Sequence, residues 1–243
     1  MLVKKLLHGF SQMTLFPTRR LTIKERRHVL WKGLVVSIVG IFFASLIVIS
    51  ICGICGASGY PISNMLSSKI FSSIINTHRL LVLFLFCVVC PIIEECSFRL
   101  WLSFKREHLF ISLFFLFYIL LNICIPSEKQ IFQYEVIPLR WLFGYVYRFL
   151  IALLLSSSIF LVSQKNLDRI KEEYGHDLVV LSVIVFSALH ITNMNFVWIL
   201  LPAALLCCLP QLISGLVMTY YRINLGFFYG LVLHVLWNFV SII

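Results

Sequence analysis

The sequence predicts an all-α, polytopic membrane protein, a bundle of seven to eight transmembrane helices. Of its 243 residues, 60% are hydrophobic and only 12% are charged. A soluble globular protein carries about twice that charged fraction. The apolar residues also occur in long runs of about 20, the length of a helix that crosses a bilayer. A chain of this length is expected to form a single bundle.

The basic residues indicate how the chain is oriented. The net charge is +10, but with the N-terminus in the cytoplasm fourteen basic residues fall in cytoplasmic segments and four in outer loops. That bias follows the positive-inside rule. We therefore expect a multi-pass integral membrane protein with a cytoplasmic N-terminus, in the plasma (inner) membrane if the source is bacterial. The positive charge then contacts membrane lipids, and nucleic-acid binding is not expected.

The chain divides into a basic cytoplasmic tail, 1–29, and a transmembrane domain, 30–243. The end of the tail is expected to run as an interfacial helix into the first span, which serves as an uncleaved anchor. The Ser- and Gly-rich loop 53–79 is expected to be irregular or re-entrant, and its part 60–79 is the candidate eighth element. The charged segment 164–177 is expected to be a solvated face. The predicted spans are 30–52, 80–104, 109–125, 141–163, 178–192, 196–219 and 225–243.

Eight cysteines are present, and two pairs have the CxxC spacing that is typical of zinc or redox sites. These pairs are Cys52 with Cys55 and Cys87 with Cys90. Nearly all the cysteines lie in apolar runs, where a free cysteine behaves as a small hydrophobic residue. We therefore expect packing roles, an expectation that is weakest for Cys52 and Cys55 at the outer end of the first span.

Charged residues within the second span predict a functional site. Glu94, Glu95 and Arg99 are the only charges in segment 80–104. Each charge at bilayer depth costs on the order of 2.5–3.5 kcal/mol, so an intramembrane acid is by default a functional hypothesis. Residues four apart share a helix face, so Glu95 and Arg99 can pair, whereas Glu94 is rotated by about 100° towards another partner. Pro91 is expected to kink the helix just before the acids.

Two histidines and an amide at similar depth complete the candidate site. His190 and His234 both lie in apolar segments, and Asn238 follows His234 by four residues on the same helix face. Phe186 precedes His190 by one turn and is expected to pack beneath it. A glutamate with a histidine, here Glu94 with His190, can polarise and deprotonate a water molecule. A histidine beside an amide can donate to a developing oxyanion.

At these residues the chain resembles the CPBP family, which comprises CAAX proteases and bacteriocin-processing enzymes and was formerly called abortive-infection proteins. The family's motifs are EExxxR, FxxxH and HxxxN/D, and their counterparts are Glu94-Glu95-Cys96-Ser97-Phe98-Arg99, Phe186 with His190, and His234 with Asn238. The resemblance covers residues 80–243. Two features depart from it: Leu100 stands where the family usually has Gly, and an inserted helix pair at about 109–163 separates the first two motifs.

The resemblance implies a glutamate-type intramembrane protease similar to CAAX prenyl endopeptidases, with an active-site cavity at membrane depth that opens to cytosol and lipid. Such an enzyme hydrolyses a peptide bond near the end of a lipid-associated or membrane-embedded substrate, either a peptide or a lipid-modified protein, without a cofactor. It implies that Glu94 and His190 activate water and that His234 and Asn238 form the oxyanion hole. The supporting residues would be Glu95, Arg99 and Phe186.

Three alternatives remain open at this stage. In a zinc-dependent membrane protease, Glu94, His190 and His234 would be the ligands, since two histidines and a carboxylate form a catalytic zinc set; the sequence has no HExxH motif. A non-catalytic scaffold or immunity protein would keep the fold and bind a partner. A transporter or proton channel would also place glutamate and histidine at membrane depth.

Overall fold

The computed structural model describes residues 21–64, 80–124 and 139–242, which are almost entirely helical. The basic tail up to residue 20, most of segment 60–79 and the loop after residue 124 lie outside the described residues. The helices in chain order are α1 (Ile23–Ala57), α2 (Leu80–Ser103), α3 (Arg106–Cys124), α4 (Leu139–Ser157), α5 (Gln164–Leu189), α6 (Leu201–Leu206), α7 (Leu209–Asn224) and α8 (Phe227–Ile242).

Five of the described helices are long and apolar enough to cross a membrane, or six if the bent pair α6 and α7 counts as one span. The helical class predicted for a membrane protein is therefore confirmed. The last helix is apolar but shorter. The number of seven or eight spans stays a prediction.

The first helix begins earlier than its predicted span. Thr22 caps the helix by accepting from the backbone N–H of Glu25, whose side chain accepts in turn from the backbone N–H of Thr22. This reciprocal capping box satisfies two N–H groups that would otherwise lack partners. At 1.5 Å per residue, α1 is about 52 Å long, which exceeds the hydrocarbon core of about 30 Å. The end of the basic tail and the first span are thus one continuous helix.

Small residues allow α1 to pack closely against α7. A Cβ atom on Gly33 would come within 2.1 Å of the Tyr221 ring, and one on Gly40 would come within 2.8 Å of Ile213. The Tyr221 hydroxyl donates to the carbonyl of Leu30. Close approach at glycines with a polar tie between helices is typical of membrane bundles.

The helix α2 changes geometry just before the acids. Residues Leu85–Val89 form a π-helical turn, in which the N–H of Cys90 donates five residues back. In that register Pro91 would face the carbonyl of Phe86, but proline has no N–H to donate. The Asn238 side chain donates to this carbonyl at 2.9 Å. The break expected from Pro91 is thus a π turn that α8 helps to satisfy.

The charged segment 164–177 corrects the predicted start of the fifth span. Ser163 caps α5, and the helix runs without interruption from Gln164 to Leu189. The segment is therefore part of a long helix rather than a loop before a short span at 178–192. Its acidic side chains are exposed, as a solvated face requires. A helix can carry a charge run when its own backbone hydrogen bonds are complete and its charged side chains point into water.

The predicted span 196–219 is two helices. The axes of α6 and α7 differ by 43° at a break between them. Pro202 lies in the first turn of α6, and Pro210 lies in the first turn of α7. Proline is favoured there because the first turn of a helix has no intrahelical acceptor for its N–H. Each proline therefore begins a helix instead of kinking one.

The predicted inserted pair, α3 and α4, packs against α2 through α3. Arg148 of α4 is buried and donates to the Asn122 side-chain oxygen of α3 at 3.1 Å. Ser112 of α3 donates to the carbonyl of Cys96 in α2 at 2.6 Å. These two contacts thus supply hydrogen bonds to polar groups between apolar helices, as low-dielectric surroundings require.

Contacts at the two ends of the bundle fit the predicted alternation of spans. Ser63–Asn64 (β1) pairs antiparallel with Met194–Asn195 (β2), so the segments after α1 and after α5 meet at one end. At the other end the Gln164 amide donates to the carbonyl of Phe104 at 3.0 Å, between the end of α2 and the start of α5. The unpredicted strand pair joins two segments that the seven-span topology places on one side.

Candidate active site

Arg99 is held on three sides in the centre of the bundle. It forms an ion pair with Glu95 one turn earlier in α2, and the two side chains are 1% and 0% exposed. Its Nε donates to Thr219 of α7 at 3.3 Å, and its guanidinium carbon lies 4.2 Å from the ring centroid of Phe186 in α5. A planar guanidinium can bond at its edge and stack on its face at the same time. Arg99 therefore joins three helices.

His234 of α8 connects the two adjacent glutamates. Its Nδ1 lies 2.9 Å from Glu95 Oε1, and its Nε2 lies 3.4 Å from Glu94 Oε2. A carboxylate at one ring nitrogen fixes the orientation of a histidine and the tautomer it adopts. The Glu94 side chain is 28% exposed, whereas that of Glu95 is fully buried. Glu94 is thus the carboxylate that a substrate can reach, and Glu95 is the one that orients His234.

Phe186 contacts both histidines of the site. Its ring centroid is 4.8 Å from that of His190 and 6.0 Å from that of His234, both in edge-to-face contacts. The Nδ1 of His190 bonds to the backbone carbonyl of Phe186 at 2.8 Å. This bond makes Nδ1 the protonated nitrogen in the neutral ring and leaves Nε2 as the acceptor. His190 therefore presents Nε2 to the site.

Two glycines make room for the buried charges. A Cβ atom on Gly215 of α7 would come within 2.9 Å of the Phe186 ring. A Cβ atom on Gly230 of α8 would come within 2.9 Å of the backbone oxygen of Met218 and within 3.5 Å of Glu95 Oε2. The close approach of α7 and α8 at the acid therefore requires the absence of a side chain.

The roles of Gly215, Gly230 and Thr219 were not predicted from the sequence. A signal for them exists in the spacing, because Gly215 precedes Thr219 by four residues and Gly230 precedes His234 by four. Residues at this separation share a helix face. A small residue one turn before a polar one is the pattern that lets membrane helices approach at a buried polar group.

Asn238 lies one turn beyond His234 in α8, and its side-chain amide already makes one hydrogen bond within the protein. One of its N–H groups donates to the carbonyl of Phe86 at the π turn of α2, which leaves the second for another acceptor, since an amide has two. Among the described residues no hydrogen bond joins Glu94 to His190. The structure thus brings Glu94, Glu95, Arg99 and His234 together, and it places His190 beside them across the Phe186 ring.

The zinc alternative needs three side chains that converge on one point. Glu94 and His234 approach each other, whereas His190 contacts the ring and the backbone carbonyl of Phe186. Over residues 21–64, 80–124 and 139–242, no group of three or more His, Cys, Asp or Glu side chains is arranged to hold a metal ion.

Fold and site together define a helical membrane protein whose bundle encloses a cluster of ionisable side chains, two acids, an arginine and a histidine. Comparison with protein-family models, with curated proteins and with solved structures finds no match for this chain. Its function is therefore argued from the chemistry of the cluster.

Proposed function

We propose that this protein is an intramembrane endopeptidase of the CPBP type, with its active site in a cavity at membrane depth. The observation that carries the proposal is the position of His234, which is hydrogen-bonded to the buried Glu95 while its second nitrogen faces the more exposed Glu94. A reachable carboxylate beside an oriented imidazole is the arrangement of a general base with its partner. Isolated charges at this depth would be unfavourable without such a role.

In the proposed mechanism Glu94 and His190 together polarise a water molecule. Glu94 removes a proton from this water as its oxygen attacks the carbonyl carbon of the scissile peptide. The carbonyl oxygen takes the negative charge of the tetrahedral intermediate. Glu94 then passes the proton to the leaving nitrogen as the C–N bond breaks. The products are a carboxylic acid and an amine, which exchange a proton to give a carboxylate and an ammonium, and Glu94 is again a carboxylate, so atoms and protons balance. General-base and general-acid steps of this kind contribute about 10²–10⁴-fold each.

The oxyanion is stabilised by donors on α8. His234 donates through Nε2 while its Nδ1–H is bound to Glu95, which requires a proton on both ring nitrogens, so the proposal assigns His234 the imidazolium form. Asn238 donates through the N–H that Phe86 does not use. The 3.4 Å separation between Nε2 and Glu94 is long for a hydrogen bond, so a small shift redirects the donor. Donors held in place before the reaction stabilise developing charge most strongly. Glu95, Arg99 and Phe186 hold the ring in position.

The substrate class follows from where the site lies. The outer faces of α8 carry exposed apolar side chains such as Val232 and Leu236, the surface expected against lipid. We propose a peptide or lipid-modified protein whose cleavable bond lies near a membrane anchor, with no cofactor. The protein is multi-pass with a cytoplasmic N-terminus in this proposal.

The test is cleavage by purified protein in liposomes, with a fluorescence-quenched peptide carrying a farnesylated cysteine near its C-terminus. Glu94→Gln keeps the side-chain shape and removes the base, so the rate should fall about 10²–10⁴-fold. Glu107→Gln, an exposed glutamate in the first turn of α3, is the matched control and should keep full activity. Cleavage by Glu94→Gln within about tenfold of wild type excludes the proposed base.

Two further measurements separate the proposal from the alternatives. Protein N-termini compared between cells with wild type and cells with Glu94→Gln should reveal ends that only the active form generates; an unchanged set favours a scaffold. Metal content of the purified protein tests the zinc enzyme, in which His234→Ala releases stoichiometric zinc. In the endopeptidase proposed here, the same variant is slow and its metal content is unchanged.

A further inference from the structure

Two thiols from distant parts of the chain meet near the β1–β2 end of the bundle. Cys52 in the last turns of α1 and Cys207 at the break between α6 and α7 are separated by 155 residues, yet their sulfur atoms lie 4.0 Å apart. Cys207 is buried and Cys52 is half-buried, so one of the two is accessible to a small reagent. Both are free thiols.

We propose that Cys52 and Cys207 are a modification site that forms a disulfide between α1 and the α6–α7 break. A disulfide places its sulfur atoms about 2 Å apart, so the two sulfurs must approach by about 2 Å, a distance that side-chain rotation and a small helix shift can supply. In the predicted topology this end of the bundle lies on the outer side of the membrane. Disulfides persist outside the cytoplasm, because the cytoplasm keeps thiols reduced. The proposal does not depend on the endopeptidase activity.

The reaction needs an oxidant, and a low-molecular-weight disulfide such as glutathione disulfide supplies it. The more accessible Cys52 attacks as the thiolate, forms a mixed disulfide and releases one thiol. Cys207 then attacks the Cys52 sulfur and releases the second thiol. Two protein thiols are oxidised to one disulfide, the external disulfide is reduced to two thiols, and the two protons of the protein thiols pass to the released thiols.

The bond would affect the segment that carries His190. Cys207 belongs to an apolar cluster against which Ile191 packs, and Ile191 directly follows His190. Cys208, which follows Cys207, accepts a hydrogen bond through its backbone carbonyl from the Ser187 hydroxyl of α5 at 2.9 Å. Oxidation therefore ties α1 to the same cluster that holds the end of α5, one turn from the candidate site.

The experiment is equilibration of the purified full-length protein with mixtures of reduced and oxidised glutathione, followed by alkylation and mass spectrometry. Wild type should lose two thiols in one step, and a non-reduced tryptic digest should contain peptide 33–69 joined to peptide 172–222, with tandem fragmentation placing the bond between Cys52 and Cys207. The melting temperature of the oxidised form should rise by at least about 5 °C, because the closed loop is long. Cys124→Ser, a change at an exposed cysteine in α3, is the matched control and should behave as wild type.

Cys55 provides the sharpest alternative, because it is buried in the same cluster as Cys207. Cys52→Ala should abolish the two-thiol loss, whereas Cys55→Ala should retain it. Fragmentation that places the bond on Cys55 instead of Cys52 overturns the assignment, and so does wild type that keeps all eight thiols in oxidising glutathione. The fragmentation uses wild-type protein alone, so it decides the question even where a variant folds poorly.

Discussion

Replacing Arg99 by methionine tests whether the buried ion pair holds the bundle together. Arg99→Met removes the charge while keeping an unbranched side chain. It breaks the bond to Thr219 and leaves the fully buried Glu95 without its ion-pair partner. The informative variant is the double change with Glu95→Gln. Glutamine carries no charge but can still accept from His234.

The magnitude follows from the burial of both partners. Removing one member of a buried pair costs about 3–5 kcal/mol, because the other charge is left uncompensated, whereas removing both is often close to neutral. For a chain of this size each kcal/mol corresponds to a shift of about 2–4 °C in melting temperature. Arg99→Met should therefore lower the melting temperature by about 6–20 °C. The double variant should recover at least about half of that loss.

The assay is thermal unfolding in one detergent, followed by tryptophan fluorescence, for wild type, both single variants and the double variant. The coupling free energy between the two sites is the measured quantity. Arg106→Met, at the start of α3 and outside the cluster, is the control and should shift the melting temperature little. If the loss in the double variant equals the sum of the two single losses, the pair contributes no coupling and the reasoning is refuted.

Three further predictions concern α8 and the topology. Asn238→Ala should lower kcat by about 10²–10³, the usual effect of losing one oxyanion donor, with substrate binding kept in a steady-state assay. Gly230→Ala should destabilise the protein by about 1–3 kcal/mol in thermal unfolding, because the new methyl group meets the backbone oxygen of Met218 at 2.9 Å. Cysteines introduced at Ser58 and Lys105 should be labelled from opposite sides of the membrane by an impermeant maleimide.

Each of these predictions has its own contradicting result. If Asn238→Ala keeps the full kcat, Asn238 is not an oxyanion donor, and its role is the hydrogen bond to the carbonyl of Phe86 at the π turn. Gly53 has no atom within 4 Å of an added Cβ, so Gly53→Ala is the control for Gly230→Ala, and equal effects of the two would contradict the packing argument. Labelling of both introduced cysteines from one side would contradict the proposed alternation of spans.

Local periodicity made part of this molecule predictable. The separation of four residues between Glu95 and Arg99 defines a shared face wherever the segment is helical, so their contact follows from the sequence. The helical class follows from the length of the apolar runs. The contact of Glu95 with His234 bridges 139 residues, and only the packing of α2 against α8 determines it.

The errors in the predicted boundaries have a common cause. Hydropathy measures where a helix can lie in lipid, and a helix can continue beyond lipid, as α1 and α5 do. The division between α6 and α7 was missed for the opposite reason, because an apolar run stays apolar across a break in the helix. Hydropathy alone does not report where backbone hydrogen bonding begins or ends.

The π turn of α2 also determines which acid takes which place. A π turn contains one residue more than an α turn would need, so it rotates everything after it by about 100° relative to the residues before it. If the same residues formed a regular α turn, the register after it would be out by one position. With the start of α2 fixed, Glu94 would then occupy the buried place of Glu95, and Ile93 would occupy the half-exposed place of Glu94.

Deleting one residue from Leu85–Val89 would remove the surplus residue, so that a regular α turn would join the two parts of α2 with the acids in their present places. The carbonyl of Phe86, to which Asn238 now donates, lies within this turn. The type of the turn and the length of the segment between Leu80 and Pro91 must therefore match each other for Glu94 and Glu95 to reach their places.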